Sequence, residues 1–204
     1  MIVSHAHRFI FFAVPKTATQ SIRQALAPCL SGDDWQQHAR FEQILLPVRA
    51  LADIGHGHIS AAEAQAHLPE VIFDDYFKFA FSRHPVDRFL SACHFLFRDD
   101  ADFSRDPISV MKTALSRERF RQRILIRPQS ELLCLKGEIA MDFVGRYENL
   151  ESDFHELNRR LGLAAGGLAR INASVEQKSE PDDELQAMLD HFYRSDYELL
   201  GYGV

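Results

Sequence analysis

Phe9-Ile-Phe-Phe-Ala-Val-Pro-Lys-Thr-Ala-Thr-Gln-Ser21 is the stretch that decides the fold of this chain. Residues 8–14 form a nearly continuous apolar run, which is typical of a strand that is covered on both faces. The run stops at Pro15-Lys16, and small and hydroxyl residues then lead into a helical pattern that ends near Pro28. We therefore predict a buried strand, a tight turn and a helix that begins at Thr17 or Thr19.

The predicted turn has the properties of an anion-binding site. A helix N-terminus presents unpaired backbone N–H groups and the positive end of the helix dipole, and Lys16 adds a full positive charge beside them. The turn is not a Walker A motif, because it lacks the glycines of that motif. A solvent-exposed lysine in an ordinary strand–helix turn is the alternative interpretation. The residues expected to bind the anion are Pro15, Lys16, Thr17, Ala18, Thr19, Gln20 and Ser21.

The composition is that of an ordinary globular protein, and the 204 residues are expected to form a single domain, residues 1–204. A net charge of -6 and an isoelectric point near 5.9 argue against general nucleic-acid binding. The cysteines at positions 29, 93 and 134 are too scattered for a disulfide framework or a zinc site. No signal peptide and no apolar run long enough to span a membrane is found, so we expect a cytoplasmic protein.

Strands and helices are predicted to alternate along the rest of the chain. Ser60 and Glu63 have the spacing of a capping box, and Gly162 is placed to end a helix. The predicted strands lie at residues 75–82 and 142–147, and the predicted helices at residues 60–68, 86–97, 150–161 and 182–200.

This alternation predicts an α/β fold with three α/β/α layers and a central parallel sheet. Ligands of such sheets bind beyond the carboxyl ends of the strands. Residues 15–21, 56–58 and 83–91 all lie where a predicted strand gives way to a helix. We therefore expect these three segments to meet at one site.

Residues 83–91 read Arg-His-Pro-Val-Asp-Arg-Phe-Leu-Ser, with an arginine at the end of a predicted strand and a proline at the start of a helix. The guanidinium of Arg83 and the hydroxyl of Ser91 would form a good clamp for a terminal phosphate. The alternative is that Arg83 pairs with Asp87 and that Ser91 is a small packing residue.

Together these motifs resemble those of the PAPS-dependent sulfotransferases, most closely the carbohydrate, Golgi-type branch and its bacterial relatives. In that family a Pro-Lys-Thr-Ala-Gly-Thr-Ser-like loop binds the 5′-phosphosulfate, and an Arg-x-Pro-x-x-Arg-x-x-Ser element binds the 3′-phosphate. The resemblance continues through residues 142–154, Asn172-Ala-Ser174 and residues 196–202. Thr19-Gln20 departs from the glycine-threonine pair that is common in the family's loop.

The resemblance implies a P-loop nucleotide-kinase-like fold and transfer of a sulfuryl group from PAPS to an acceptor hydroxyl, with PAP as the product. Residues 15–21 would hold the 5′-phosphosulfate, Lys16 would neutralise charge on the leaving oxygen, and Arg83 and Ser91 would bind the 3′-phosphate. No metal is expected, and the implied acceptor is a carbohydrate or glycoconjugate. An ATP-dependent small-molecule kinase and a non-catalytic nucleotide-binding relative stay open, as do the identity of the acceptor and the oligomeric state.

His56-Gly-His58 has three possible interpretations: a metal site, ordinary histidines, or a general base. Metal partners with suitable spacing are not evident, whereas a neutral imidazole is suited to accept the proton of an acceptor hydroxyl. The sequence also resembles the site of uronyl 2-O-sulfotransferases, where a histidine is the base. We favour His58 as the base and His56 as its support, although the sequence leaves the choice between them open.

Residues 117–123 carry four arginines, which are typical of a solvated helix face but would also suit recognition of an anionic acceptor. The aromatic side chains near this cluster are expected in the core rather than in a sugar platform. They are Phe95, Phe97, Phe103 and Phe120.

Overall fold

The computed structural model of the protein describes residues 1–37, 45–168 and 179–203. The strands in these ranges are β1 (Ile2–Ser4), β2 (Phe9–Phe12), β3 (Trp35–Gln36), β4 (Phe77–Ser82), β5 (Cys134–Leu135), β6 (Glu138–Ile139) and β7 (Phe143–Arg146). Five of these strands form the central sheet in the order β3-β1-β2-β4-β7, and β5 and β6 form a separate hairpin.

Short and medium helices connect the strands. Their bounds are α1 (Thr19–Leu26), α2 (Arg49–Ala52), α3 (Ala61–His67), α4 (Glu70–Asp75), α5 (Pro85–Leu96), α6 (Ala101–Arg105), α7 (Pro107–Leu115), α8 (Glu118–Arg121), α9 (Ser130–Leu133), α10 (Leu150–Leu161), α11 (Asp183–Phe192) and α12 (Arg194–Leu200). None of the helices in the described ranges combines the length and the apolar content that a membrane crossing requires.

The predicted α/β fold is confirmed, and the strands β2, β4 and β7 run parallel to one another. The sheet as a whole is mixed, because β1 pairs antiparallel with both β2 and β3. The strands β1 and β3 were not predicted, since they are only three and two residues long and carry no periodic pattern. The carboxyl ends of β2 and β4 still lie side by side, as the predicted site requires.

Alternate side chains of β2 enter apolar layers on opposite faces of the sheet. Phe9 and Phe11 pack on one face with α1 and α10, whereas Ile10 and Phe12 pack on the other face with α3 and α4. Each of the four is at most 1% exposed, and burial of such a side chain contributes about 1.5–3 kcal/mol. Two covered faces explain why the strand is a continuous apolar run rather than an alternating one.

Several predicted boundaries are confirmed. The capping box at Ser60 is present, and the helix before Gly162 ends at that residue, which has a left-handed φ of 62°. The predicted helix over residues 182–200 is two helices, because Tyr193 leaves helical geometry while its buried hydroxyl donates to the carbonyl of Ile126. Asn172-Ala-Ser174 lies outside the described residues.

From the sequence, Gly55-His-Gly-His-Ile59 is either a strand end or a sharp turn; the turn is present, and the expectation that a strand precedes residues 56–58 is wrong. They lie in the loop between α2 and α3, after a turn at Gly55, whose φ is 73°. The glycine permits this left-handed turn. The histidines therefore approach the sheet from its helical layer rather than from the end of a strand.

Candidate active site

The turn after β2 contains two residues in the left-handed conformation that are not glycine. Lys16 has φ of 67° and Ala18 has φ of 60°. Such residues carry a steric cost of about 1–2 kcal/mol each, and strain of this kind clusters at ligand-binding sites. Alternation of left-handed and right-handed residues is also how backbone N–H groups gather into an anion-binding concavity.

The N-terminus of α1 has no side-chain cap. Ala18 is its N-cap residue, and the first turn of the helix holds no acidic residue. The two threonine hydroxyls that lie close enough to cap the helix instead donate to one carbonyl, that of Val14, at 2.9 Å from Thr17 and 2.7 Å from Thr19. The first N–H groups of the helix therefore keep their hydrogen-bonding capacity for an anion.

Lys16 lies between this helix end and α5. Its Nζ is 4.8 Å from the centroid of the Phe95 ring, which is within the range of a cation–π contact. Ser91 precedes Phe95 by four residues and so shares its face of α5. The contact between Lys16 and Phe95 thus turns the face that bears Ser91 toward residues 15–21.

Arg83 follows the last residue of β4 and reaches the same turn. Its Nη1 donates to the carbonyl of Lys16 at 3.4 Å, and its guanidinium lies 4.2 Å from the centroid of the Tyr147 ring. Its Nε is buried and has no hydrogen-bond partner among the described residues. A buried guanidinium N–H without a partner is costly in the free protein, and an anion at this site would satisfy it.

His58 contacts the strand that leads into the turn. Its Nδ1 lies 2.7 Å from the carbonyl of Ala13, so this nitrogen carries the proton and donates it. Nε2 is then left as the acceptor. Burial lowers the pKa of His58 to about 4, and the positive charge of Arg23 acts in the same direction. His58 is therefore neutral over the physiological pH range.

His56 lies behind His58. Its Nδ1 accepts the backbone N–H of His58 at 3.3 Å, and the two rings are 6.0 Å apart. Burial also lowers the pKa of His56. Within the described ranges, no group of three potential metal ligands comes together. The pair is thus arranged as one histidine supporting the loop position of the other.

Arg23 is an additional cation close to His58, and sequence reasoning gave it no role. It donates to the carbonyls of Gln37 at 2.8 Å and of Met1 at 3.4 Å, and burial lowers its pKa to about 10. Since it stays charged at neutral pH, it opposes protonation of His58.

The second arginine of the 83–91 motif has a structural position. Arg88 is fully buried and donates to the carbonyls of Leu125, Ile126 and Arg127 at 3.1, 3.2 and 2.6 Å. It therefore holds the chain segment that precedes α9. The local pattern separates Arg83 at the end of a strand from Arg88 within the helix, but the carbonyl partners of Arg88 lie 37–39 residues away and could not be predicted.

The basic cluster over residues 117–123 is used in part for packing. Phe120 stacks on Phe97 at 5.7 Å, and Arg121 donates to the carbonyls of Leu115 and Ser116. Phe103 and Phe120 are core residues, as predicted. Phe95 differs from them, since it contacts Lys16.

The fold and this geometry define an α/β protein with an uncapped helix N-terminus beside Lys16 and a second cationic element, Arg83, next to it. The sequence model of the sulfotransferase family matches residues 1–203. This chain belongs to the sulfotransferase family.

One similar protein is described only as an uncharacterized protein of Archaeoglobus fulgidus. It is 28% identical over 105 residues, which cover 52% of this chain and 83% of the relative. No solved structure matches the chain.

Proposed function

We propose that this protein transfers a sulfuryl group from PAPS to a hydroxyl of a carbohydrate or glycoconjugate and releases PAP. The observation that carries the proposal is the uncapped N-terminus of α1 beside Lys16, with the threonine hydroxyls turned away to Val14. Membership of the sulfotransferase family supports the type of reaction. The donor and the acceptor class are the proposed part.

In this proposal the N–H groups of residues 17–21 bind the 5′-phosphosulfate. Arg83 and Ser91 bind the 3′-phosphate, which distinguishes PAPS from ATP. The unpartnered Nε of Arg83 supports this assignment, because a dianionic phosphate supplies the missing acceptor. The contact of Arg83 with the Lys16 carbonyl supports a single site for both ends of the donor.

The transfer forms one bond and breaks another at sulfur. The acceptor oxygen attacks, the bond between sulfur and the bridging oxygen breaks, and the bonding electron pair leaves with PAP. Lys16 stabilises the negative charge that develops on that bridging oxygen, together with the N–H groups of the turn. The acceptor and leaving oxygens lie in line through sulfur, by analogy with phosphoryl transfer.

His58 accepts the proton of the acceptor hydroxyl at Nε2. The hydrogen bond from Nδ1 to Ala13 fixes the tautomer that leaves Nε2 free to do so. A pKa near 4 makes His58 a weak base in the protein without ligand. Binding of a donor with several negative charges favours the protonated imidazole and raises this pKa toward the working pH. His56 supports the position of His58.

The first experiment is calorimetric titration of the protein with PAP and with ADP. PAP carries one phosphate at the 3′ and one at the 5′ position, whereas ADP carries both phosphates at the 5′ position, so we expect micromolar PAP binding and at least about tenfold weaker ADP binding. Equal binding of the two would contradict the assignment of Arg83 and Ser91 and favour a kinase. Absence of binding of both ligands would contradict a nucleotide site at this turn and favour a relative that has lost donor binding.

Two variants test whether Arg83 is responsible for the preference for PAP. Arg83→Gln is expected to abolish the preference for PAP over ADP, whereas Arg105→Gln changes an exposed arginine of α6 that pairs with Asp102 and should retain it. Transfer of labelled sulfuryl groups to uronate-containing, sulfated and neutral saccharides then tests the acceptor class.

A further inference from the structure

The segment that joins β4 to α5 is held by side chains from distant parts of the chain. Ser82 Oγ lies 2.8 Å from the hydroxyl of Tyr202, and the backbone N–H of His84 donates to Glu148 at 2.7 Å. The residue between them, Arg83, has both of its backbone groups bound by Gln129. Three separate elements therefore determine where the start of the 83–91 motif lies.

Gln129 makes a two-point contact with Arg83. Its Oε1 accepts the Arg83 N–H at 2.9 Å, and its Nε2 donates to the Arg83 carbonyl at 2.8 Å. The pairing of β4 with β7 ends at Ser82, so the backbone of Arg83 is past the end of the sheet ladder. The side-chain amide of Gln129 takes the place of a neighbouring strand at this position.

Asp196 of α12 in turn fixes Gln129. The carboxylate is fully buried and accepts the backbone N–H of Gln129 at 2.9 Å and its Nε2 at 3.3 Å. Its other oxygen accepts the N–H and the hydroxyl of Ser130, both at 2.8 Å. A buried carboxylate with this many donors allows Gln129, which is itself fully buried, little freedom.

The side chain of Arg83 is held at its guanidinium end. The guanidinium lies over Tyr147 and donates to the carbonyl of Lys16. A long arginine side chain loses considerable conformational entropy when it binds an anion, and fixing its backbone in the free protein reduces that loss.

We propose that Gln129, anchored by Asp196, is a positioning residue that sets the affinity of Arg83 for the 3′-phosphate of the donor. This inference rests on the proposed function, in which Arg83 binds that phosphate. Gln129 does not touch the ligand; it fixes the backbone from which the guanidinium extends.

The test measures the ratio of PAP to ADP affinity in Gln129→Met and Gln129→Asn. Methionine has a similar length but removes both hydrogen bonds to Arg83, and asparagine keeps an amide that is one methylene too short. We expect PAP binding to weaken about tenfold in each variant, with ADP binding within about twofold of the parent protein.

Ser130→Ala is the matched control. It removes a hydrogen bond to the same carboxylate of Asp196 but no contact with Arg83. If these hydrogen bonds serve stability alone, Ser130→Ala and Gln129→Met should both lower the unfolding free energy and leave the ratio of PAP to ADP affinity unchanged. The positioning role predicts a changed ratio in the Gln129 variants alone.

An unchanged ratio in folded Gln129 variants would overturn the inference, and so would failure of both variants to fold, which would assign Gln129 to the core alone. If the parent protein itself does not distinguish PAP from ADP, the proposed function fails instead. The two failures are therefore distinguishable in one series of titrations.

Discussion

The helices α1 and α3 pack on opposite faces of the sheet, and their N-termini are built in opposite ways. At α3, Ser60 Oγ accepts the N–H of Glu63 at 3.2 Å, and the Glu63 carboxylate accepts the N–H of Ser60 at 2.8 Å. At α1 the N-cap is a left-handed alanine, and the nearby hydroxyls bind Val14. One helix end is closed by its own side chains, and the other is left open.

The difference shows how a chain can reserve backbone groups for a ligand. A side-chain cap contributes about 0.5–2 kcal/mol, and α1 forgoes this contribution while it also holds two left-handed residues. The site therefore costs stability in the free protein, and α3 shows that the same fold caps a helix where no ligand is proposed.

The largest expected effect comes from removing the charge at the open end. Lys16→Ala is expected to lower turnover by about 10²–10³-fold, with a much smaller effect on PAPS affinity, because the lysine acts on charge that develops in the transition state. Lys136→Ala is the control, since Lys136 is also a left-handed lysine in a turn but lies between β5 and β6. Unchanged turnover in Lys16→Ala would refute its role.

The next effect concerns His58, which precedes α3 and donates to the strand before α1. Its pKa is about 4 in the folded protein and about 6.5 when unfolded. Between pH 6.5 and about pH 4 the unfolded state binds more protons than the folded state, so folding stability falls by about 1.4 kcal/mol for each pH unit of acidification. Above pH 6.5 the histidine is neutral in both states, and this loss of stability is absent.

His58→Asn keeps a donor for the Ala13 carbonyl but cannot titrate. Urea unfolding between pH 7 and pH 4.5 should therefore show a shallower loss of stability in this variant than in the parent protein. His67→Asn, at an exposed position of α3, should retain the parent slope. Parallel slopes for His58→Asn and the parent would contradict the lowered pKa.

Removal of the side-chain cap at the N-terminus of α3 is expected to have a smaller effect. Ser60→Ala is expected to lower the unfolding free energy by about 1 kcal/mol and to leave PAP affinity unchanged, because the cap stabilises α3 alone. Urea unfolding and calorimetry measure the two quantities, with Ser104→Ala on the exposed face of α6 as the control. A loss of PAP affinity in Ser60→Ala would show that the two ends are coupled.

The smallest effect is expected when a carboxylate is added to the uncapped N-terminus of α1, so that it resembles the capped N-terminus of α3. Gln20 is an exposed residue in the first turn of α1, and Gln20→Glu adds a negative charge there. The carboxylate should stabilise the free protein by about 0.3–1 kcal/mol through the helix dipole, while it weakens PAP binding through repulsion. Gln24→Glu, one turn later in the same helix, should do neither. Unchanged or tighter PAP binding in Gln20→Glu would argue against an anion at this end.

Local patterns were sufficient to predict the strand, turn and helix around Lys16 and the capping box at Ser60. In both cases the decisive contacts lie within a few residues, as between Ser60 and Glu63. The left-handed Ala18 could not be predicted, since glycine is the usual residue in that conformation. The tertiary structure imposes it against local preference.

Long-range partners were beyond sequence reasoning. Phe95 looked like a core aromatic, and only the packing of α5 against the turn brings it to Lys16. Gln129 had no distinguishing pattern, because its partners Arg83 and Asp196 are 46 and 67 residues away. Side-chain amides of this kind acquire a role only from the contacts that the completed fold provides.

The long sequence separation between Asp196 and its partner Gln129 affects how the protein folds. Arg83 and Lys16 are joined across 67 residues, and Asp196 closes a second loop of the same length onto Gln129. Contacts of such high sequence separation form late, since the loop-closure entropy must be overcome first. If the proposed function holds, donor binding should therefore emerge late in refolding, when α12 docks. A fluorescent PAP analogue would then report the last step of folding rather than the collapse of the sheet.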